Sequence, residues 1–324
     1  MAFRVQRRGL QVADLVSYII RKLLLAIPVI LLATFIVYLM LYLTPGDPSL
    51  ALVSPRYTAD DLVKVREKYG FDKPFYVQYG SFLWRLLHGD LGSSVSTATL
   101  DVGVGTMILQ RLPRTLELMA IGLTISYSIG IPLGIISALR QNSVTDRGVM
   151  VFTLVAYAMP SFWLGIMLML LFAVKLHWLP LGGTVGGFAS IILPTITLGL
   201  GNAALTTRMM RSSMLEVQRM DYITQLRSRG LPEREVIFKH GLKNAILPVI
   251  TVIGLDIGWF VGGAVVVETV FGWPGIGKLV TDSITRHDFP VVQGCILVLA
   301  IFVILGNLIA DILYAVADPR VRLG

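Results

Sequence analysis

Long apolar stretches alternate with short polar ones along most of the 324 residues. The first apolar stretch runs from Leu23 to Leu43, close to the roughly 20 residues that a helix needs to cross a lipid bilayer. Five similar stretches follow, with predicted spans at about 116–137, 149–171, 189–204, 245–267 and 291–314. The pattern therefore predicts an all-α polytopic membrane protein with six transmembrane helices.

Composition and charge support this class and orient the helices. The chain is 55% apolar and only 15% charged, whereas soluble domains carry roughly 25% charged residues. Basic side chains concentrate in segments 1–22, 208–244 and 318–324, so we expect these segments, and both chain ends, in the cytoplasm. The net charge of +8 then reflects cytoplasmic loops beside anionic lipid, and we expect no nucleic-acid partner.

A long connection separates the first helix from the others. Residues 44–114 are nearly balanced in charge, and we expect them to form an external cap region. Apolar residues at helical spacing predict short helices there, at Thr58 to Tyr69 and Val102 to Leu112. Residues 115–317 then form a core of five helices, which includes the 208–244 loop.

The stretch from Asp221 to Pro248 has the pattern of two short helices between two apolar spans. We expect Asp221 to cap the first helix and Gly230 to end it, with Pro232 in the first turn of the second. One face of the second helix is predicted to be apolar, because its members recur at helical spacing: Val236, Ile237 and His240. The pattern predicts a compact, half-apolar helical unit that docks into another protein.

This stretch resembles the EAA loop of binding-protein-dependent ABC importer permeases, in its peptide and nickel branch. The agreeing positions are Asp221, Tyr222, Ile223, Arg227, Gly230, Leu231, His240, Leu242, Asn244, Ala245 and Pro248. Glu268 to Gly277 resembles a second signature of the family, E-x-V-F-x-W-P-G-x-G, in which we expect Trp273 at the lipid headgroup level. The resemblance covers nearly the whole chain and implies the type I importer permease architecture.

The resemblance also implies a function. The chain would be one permease subunit that moves dipeptides or oligopeptides across the plasma (inner) membrane of a prokaryote by alternating access. Implied partners are a second homologous permease, two cytoplasmic ABC ATPase subunits that bind ATP and Mg²⁺, and an external solute-binding protein. The residues implied in coupling to the ATPases are Asp221, Tyr222, Leu226, Arg227, Gly230, Leu231 and His240.

We expect no enzymatic activity and no cofactor in this chain itself. Gly272 to Lys278 matches the start of a phosphate-binding loop, but Leu279 stands where Ser or Thr would hold Mg²⁺. Cys295 is the single cysteine, which excludes an internal disulfide. The four histidines lie outside the predicted spans, so we expect no metal site.

Some residues within the spans are candidates for a transport role or for helix packing. Asp256 is the only acid deep in a predicted span, and such a carboxylate should face protein or a wet cavity. The candidates for the translocation path or a gate are Pro160, Phe162, Asn202, Asp256 and Glu268, and the break at Pro160 fits a simple kink equally well. Glycines four residues apart predict close helix contacts at Gly130, Gly134, Gly254, Gly258 and Gly262.

Three alternatives stay open. Within the family, the substrate is nickel or a metal chelate instead of a peptide. An ion-coupled secondary transporter usually shows several intramembrane charges or broken-helix repeats, and here we find Asp256 alone. A membrane-embedded hydrolase needs a nucleophile and a base at membrane depth, and the spans show neither. We therefore expect a peptide importer subunit.

Overall fold

The computed structural model describes residues 2–43, 60, 63, 66–67, 72–94 and 102–317. These ranges are mainly helical, and the β-structure within them is one isolated bridge between Ser93 and Gly103. The helices are α1 (Ala2–Leu43), α2 (Phe75–Leu87), α3 (Val104–Leu139), α4 (Val144–Ala158), α5 (Ser161–Lys175), α6 (Ala189–Gln218), α7 (Asp221–Ser228), α8 (233–245), α9 (Leu247–Phe271), α10 (Ile276–Thr285) and α11 (Phe289–Ala317). The all-α prediction is confirmed.

Five helical segments in the described residues are long and apolar enough to cross a membrane. They are Tyr18–Met40, Val104–Leu139, Ala189–Gln218, Leu247–Phe271 and Phe289–Ile312. A sixth span is obtained if α4 and α5, which are bent by 105° at a short break, count as one. The structure therefore agrees with a polytopic protein of five or six spans.

The break between α4 and α5 follows from one proline. Pro160 has no N–H to continue the helix, and it pushes the preceding residue towards extended backbone. Met159 accordingly has φ −77° and ψ 126°, and α5 begins at Ser161. A bend of 105° separates α4 from α5. The interpretation of Pro160 as a simple kink within one helix is therefore wrong.

Two predicted boundaries are also wrong. The helix expected at Val102 to Leu112 is not separate, because α3 runs without a break from Val104 to Leu139. The fourth span was predicted to end near residue 204, yet α6 continues to Gln218. A Cβ at Gly199 would lie 2.6 Å from the carbonyl oxygen of Gly122 in α3, so this glycine permits close helix packing.

Part of the predicted cap region lies outside the described residues. Of the helix predicted at Thr58 to Tyr69, the structure describes residues 60, 63, 66 and 67, all in helical conformation. The helix-ending stretch 44–48 and the tail 318–324 are also outside the described residues. The basic segment 1–22 is helical from Ala2 as part of α1, so it is continuous with the first span.

The chain divides into two compact units. One comprises Met1–Ile20, Glu117–Trp273 and Val303–Gly324, and the other comprises Arg21–Leu116 and Pro274–Phe302. In the second unit, α2 packs on α1 through aromatic rings, with Phe35 edge-on to Phe75 at 5.6 Å. The candidate sites described below lie in the first unit.

Candidate functional site

The loop between α6 and α9 folds into a compact unit, residues 221–245, which we call the knob. Its first helix, α7, begins at Asp221, with Met220 rather than Asp221 at the N-cap position. Asp221 instead lies in the first turn, where a negative charge is favourable at the positive end of the helix dipole. Gly230 ends the helix as expected, with a φ of +79° that L-residues rarely adopt.

The second helix of the knob, α8, changes character along its length. A short α-helical turn, Glu233–Glu235, leads into a π-helical segment, Val236–Gly241, and a final turn, Leu242–Ala245. Pro232 precedes the helix at its N-cap position, one residue earlier than expected. Val236 and Ile237 are buried and His240 is half-buried, so the predicted apolar face is confirmed.

A shared apolar cluster fixes the knob to the transmembrane helices. Its buried members come from α3, α6, α7, α8 and α9: Ile135, Ala138, Met210, Met214, Val217, Ile223, Val236, Ile237, Ala245 and Val249. Tyr222, Leu226 and Leu231 pack against this cluster, and Asn244 donates a hydrogen bond of 2.8 Å to the Tyr222 hydroxyl. These three side chains therefore hold the knob to its own chain.

The outer surface of the knob carries a different set of residues. Phe238 is 50% exposed and lines an open groove together with Pro232, Arg234, Glu235 and Lys239. Sequence reasoning missed Phe238. The signal was available, because position 238 falls outside the helical face formed by 236, 237 and 240.

An ion pair joins the two helices of the knob across the Gly230 turn. Arg227 donates two hydrogen bonds to the Glu233 carboxylate, at 2.6 and 3.1 Å. The Arg227 guanidinium holds the pKa of the Glu233 carboxyl below its ordinary value. Both side chains are well exposed, so water screens the pair and its contribution to stability is small.

Three transmembrane helices meet at a polar cluster around Asp256, which we call the Asp256 cluster: Ser126 and Tyr127 of α3, Asn202 of α6 and Asp256 of α9. The Tyr127 hydroxyl donates to Oδ2 of Asp256, and the Asn202 amide donates to the same oxygen at 2.7 Å. The Asn202 amide also donates to the Ser126 hydroxyl at 3.1 Å. The structure thus brings two of the predicted residues together and adds Ser126 and Tyr127, which the sequence did not single out.

The other candidates for a translocation path lie elsewhere in the chain. Glu268 is twelve residues beyond Asp256 on α9, which corresponds to about 18 Å of helix rise, and it is fully buried. Pro160 forms the break between α4 and α5, and Phe162, just beyond it, is 51% exposed. Trp273, expected at the headgroup level, is only 2% exposed, so its ring is buried in protein instead.

Two of the predicted packing glycines lie where α3 crosses α6. A Cβ at Gly130 would lie 2.7 Å from the Cβ of Thr206, and one at Gly134 would lie 2.6 Å from the Cβ of Met210. Real Cβ atoms essentially never approach so closely. A larger residue at either position would therefore push the two helices apart.

The three glycines on α9 behave differently from one another. A Cβ at Gly254 would lie 2.0 Å from the Cα of Ala310 in α11, so glycine is required there. At Gly258 the nearest atom, on Val303, would be at an ordinary contact distance of 3.5 Å. At Gly262 no atom lies within 4 Å of the Cβ position, so packing within the described chain does not require this glycine.

A buried ion pair that sequence reasoning missed ties α4 to α6. Arg211 donates to both carboxylate oxygens of Asp146, at 2.7 and 2.8 Å, and the side chain of Asp146 is only 4% exposed. The Ser137 hydroxyl and the backbone N–H of Asn142 also donate to this carboxylate. The sequence placed Arg211 only in the basic segment 208–244, and it did not connect Arg211 with Asp146, which is 65 positions away.

Within the described residues, no group of three or more His, Cys, Asp or Glu side chains is placed to hold a metal ion.

The chain matches two family models over most of its length. Residues 130–323 match the model described as the binding-protein-dependent transport system inner membrane component. Residues 15–119 match the model for the N-terminal part of such membrane components.

Curated relatives agree over nearly the whole chain. The oligopeptide transport system permease protein AppB of Bacillus subtilis is 41% identical, over 94% of this chain and 99% of the relative. The di/tripeptide permease DppB of Pseudomonas aeruginosa is 39% identical, and the dipeptide permease DppB of Escherichia coli is 36% identical, each over 95% of this chain and 99% of the relative.

A solved structure shares the fold. The MetNI methionine ABC transporter, in an inward-facing conformation, matches with a TM-score of 0.57 and 17% identity, over 65% of this chain and 96% of that chain. At this identity the similarity concerns the fold, and it confirms the ABC importer permease architecture that the sequence predicted. The two family models and the curated relatives show that the chain belongs to the family of inner membrane components of binding-protein-dependent transport systems.

Proposed function

We propose that this chain is a permease subunit of an ABC importer that carries dipeptides or oligopeptides into a prokaryotic cell. The observation that carries the proposal is agreement, at 36 to 41% identity over at least 94% of the chain, with proteins named as peptide permeases. Nickel or a metal chelate remains the alternative substrate. The chain itself is a passage and not an enzyme, and it binds no cofactor.

The proposed function requires partner subunits. They are a second homologous permease, two ABC ATPase subunits that hold ATP and Mg²⁺, and an external solute-binding protein. The knob is the proposed contact with an ATPase. Its apolar cluster anchors it to α3, α6 and α9. On its outer surface, the exposed Phe238 lies beside Arg234 and an ion pair between Lys239 and Glu235, which together offer an apolar and charged surface.

The predicted coupling residues divide into two roles in this proposal. Tyr222, Leu226, Leu231 and His240 are at least half-buried and support the knob from within. Asp221, Arg227 and Gly230 are exposed, and Gly230 sets the angle between the two helices. A movement imposed on the knob by ATP binding would then pass to the transmembrane helices through the shared cluster.

The proposed topology places the knob and both chain ends in the cytoplasm and residues 44–114 outside. Alternating access then means that helix movements open the passage to one side at a time. We propose Pro160, Phe162, Asn202, Asp256 and Glu268 as residues of the passage or its gate. Among them, Asn202 donates a hydrogen bond to Asp256.

The test is to purify the tagged chain with the products of its co-expressed neighbouring genes and to reconstitute the assembly in liposomes. We expect two ATPase subunits and a second permease to copurify, and ATP hydrolysis to rise when peptide-loaded binding protein is added. A purified chain with no ATPase subunit, or an assembly that imports nickel and no peptide, would overturn the proposal.

Gly230 provides a test of the knob within the same assembly. Valine is strained at a φ of +79°, whereas asparagine adopts such angles readily, and neither side chain meets an atom within 4 Å at the Cβ position. Gly230→Val should therefore lose peptide-stimulated ATP hydrolysis, while the matched control Gly230→Asn should keep most of it. Equal stimulation in the two variants would remove the knob from coupling.

A further inference from the structure

The Asp256 cluster has an asymmetry in its hydrogen bonding. Both donors, the Tyr127 hydroxyl and the Asn202 amide, bond to Oδ2 of Asp256. Oδ1 receives no hydrogen bond from any residue that the structure describes. Oδ2 therefore accepts two hydrogen bonds within the chain. Oδ1 can accept a hydrogen bond from a group outside the described residues.

The charge of this cluster is also unbalanced. Tyr127, Asn202 and Ser126 are neutral, and in the described part of the chain no Lys, Arg or His lies within ion-pair distance of Asp256. Asp256 itself is only 6% exposed. Carboxylates at membrane depth face a partner charge or a wet cavity, because an unpaired charge there is costly. A cation with hydrogen atoms to donate would balance this charge and bond to Oδ1.

We propose that the Asp256 cluster binds the terminal ammonium group of a peptide as it crosses the membrane. The inference rests on the proposed function and names the part of the substrate that this site recognises. The ammonium group would donate one hydrogen bond to Oδ1 of Asp256 and a second to the oxygen of the Tyr127 hydroxyl, whose hydrogen already points to Oδ2. Asn202, held by Ser126, is a positioning residue that keeps the carboxylate in place.

The chemistry suits a passage for many different peptides. Every peptide with a free amino terminus carries this cation near neutral pH, whatever its side chains are. Recognition of that group selects peptides as a class without selecting a sequence. The same chemistry could come from a Lys or Arg side chain of the partner permease, and the experiment separates these two sources.

The experiment measures peptide binding to the purified permease and ATPase assembly without its solute-binding protein, by isothermal titration calorimetry. The probes are trialanine and N-acetyl-trialanine, which differ in the terminal charge. We expect the wild type to bind trialanine about tenfold or more tightly than the acetylated form, as befits a hydrogen-bonded charge. In Asp256→Asn this preference should disappear, and in Tyr127→Phe it should shrink.

A matched control is Asp311→Asn, which removes a carboxylate from the span of α11. This variant should keep the preference for trialanine. Asp256→Asn that assembles normally and still prefers trialanine would overturn the inference, as would a wild type that binds both peptides equally. Loss of the partner permease from the Asp256→Asn preparation would show that the cation belongs to the partner and would also overturn it.

Failure of the proposed function has a different signature. In that case the wild-type assembly, supplied with its solute-binding protein, would import no peptide at all. A wild type that imports trialanine, beside an Asp256→Asn variant with unchanged peptide preference, would leave the function standing and remove only the ammonium site.

Discussion

The ion pair between Asp146 and Arg211 provides the sharpest test of stability. Arg211→Met keeps much of the side-chain length and removes the guanidinium. It deletes two of the four hydrogen bonds to a carboxylate that is 4% exposed. Breaking a buried ion pair by removing one partner costs about 3–5 kcal/mol. The Ser137 hydroxyl and the Asn142 N–H remain as donors, and the Arg211 side chain is 23% exposed, so we expect about 3 kcal/mol.

A double variant separates the lost pair from the residual buried charge. Asp146→Asn with Arg211→Met removes both charges. The new amide oxygen can accept from the Asn142 N–H, and the amide NH2 can donate to the Ser137 hydroxyl oxygen. Since no unpaired charge stays buried, the double variant should lose only about 1 kcal/mol and be more stable than Arg211→Met alone. The assay is equilibrium unfolding in mixed detergent micelles, followed by circular dichroism, with free energies from the fitted transitions.

The matched control is Arg147→Met, which removes an exposed positive charge from the same turn of α4. Surface changes of this kind usually alter stability by no more than about 0.5 kcal/mol. If Arg211→Met is no more destabilising than this control, or if the double variant is the less stable of the two, then the pair does not contribute as the geometry indicates.

Two further expectations concern helix packing and the knob. Gly134→Leu should lower the yield and melting temperature of the protein, because its Cβ would lie 2.6 Å from Met210. The control Gly262→Leu should change neither, because no atom lies within 4 Å of that Cβ position. Equal effects of the two variants would contradict the packing of α3 against α6. The Glu233 carboxyl has a pKa lowered by Arg227, so its stabilisation of the knob is complete above the ordinary value of 4.5 and is lost as the pH falls through the lowered value. Arg227→Gln should return that pKa towards 4.5 in a carboxyl NMR titration, and an unchanged titration would exclude the pair.

The sequence predicted elements whose cause is local. The apolar spans follow from length and composition, and the turn at Gly230 follows from a residue that tolerates a positive φ. The apolar face of α8 follows from the spacing of Val236 and Ile237. Each of these signals lies within a few residues of the feature that it predicts.

The features that the sequence did not predict depend on contacts between distant segments. In the sequence, Arg211 is one of several basic residues at the predicted cytoplasmic end of a span. Only the fold shows that its side chain contacts Asp146. Tyr127 gives no sign in the sequence that it meets Asp256, 129 positions away. Gly199 has a low helix propensity, yet the packing of α6 against α3 outweighs it. Tertiary structure therefore defines the polar cluster and the ion pair, and no local pattern encodes them.

The unbroken course of α6 has a mechanical consequence. Thirty residues without a break form a rod about 45 Å long. Asn202 and Met214 lie on this rod about 18 Å apart, one in the polar cluster and the other in the apolar cluster under the knob. A tilt of about 10° around Asn202 would displace Met214 by roughly 3 Å, about the width of an atom. No Gly or Pro lies between these two residues. A rigid tilt of α6 would therefore move the polar cluster and the apolar cluster together.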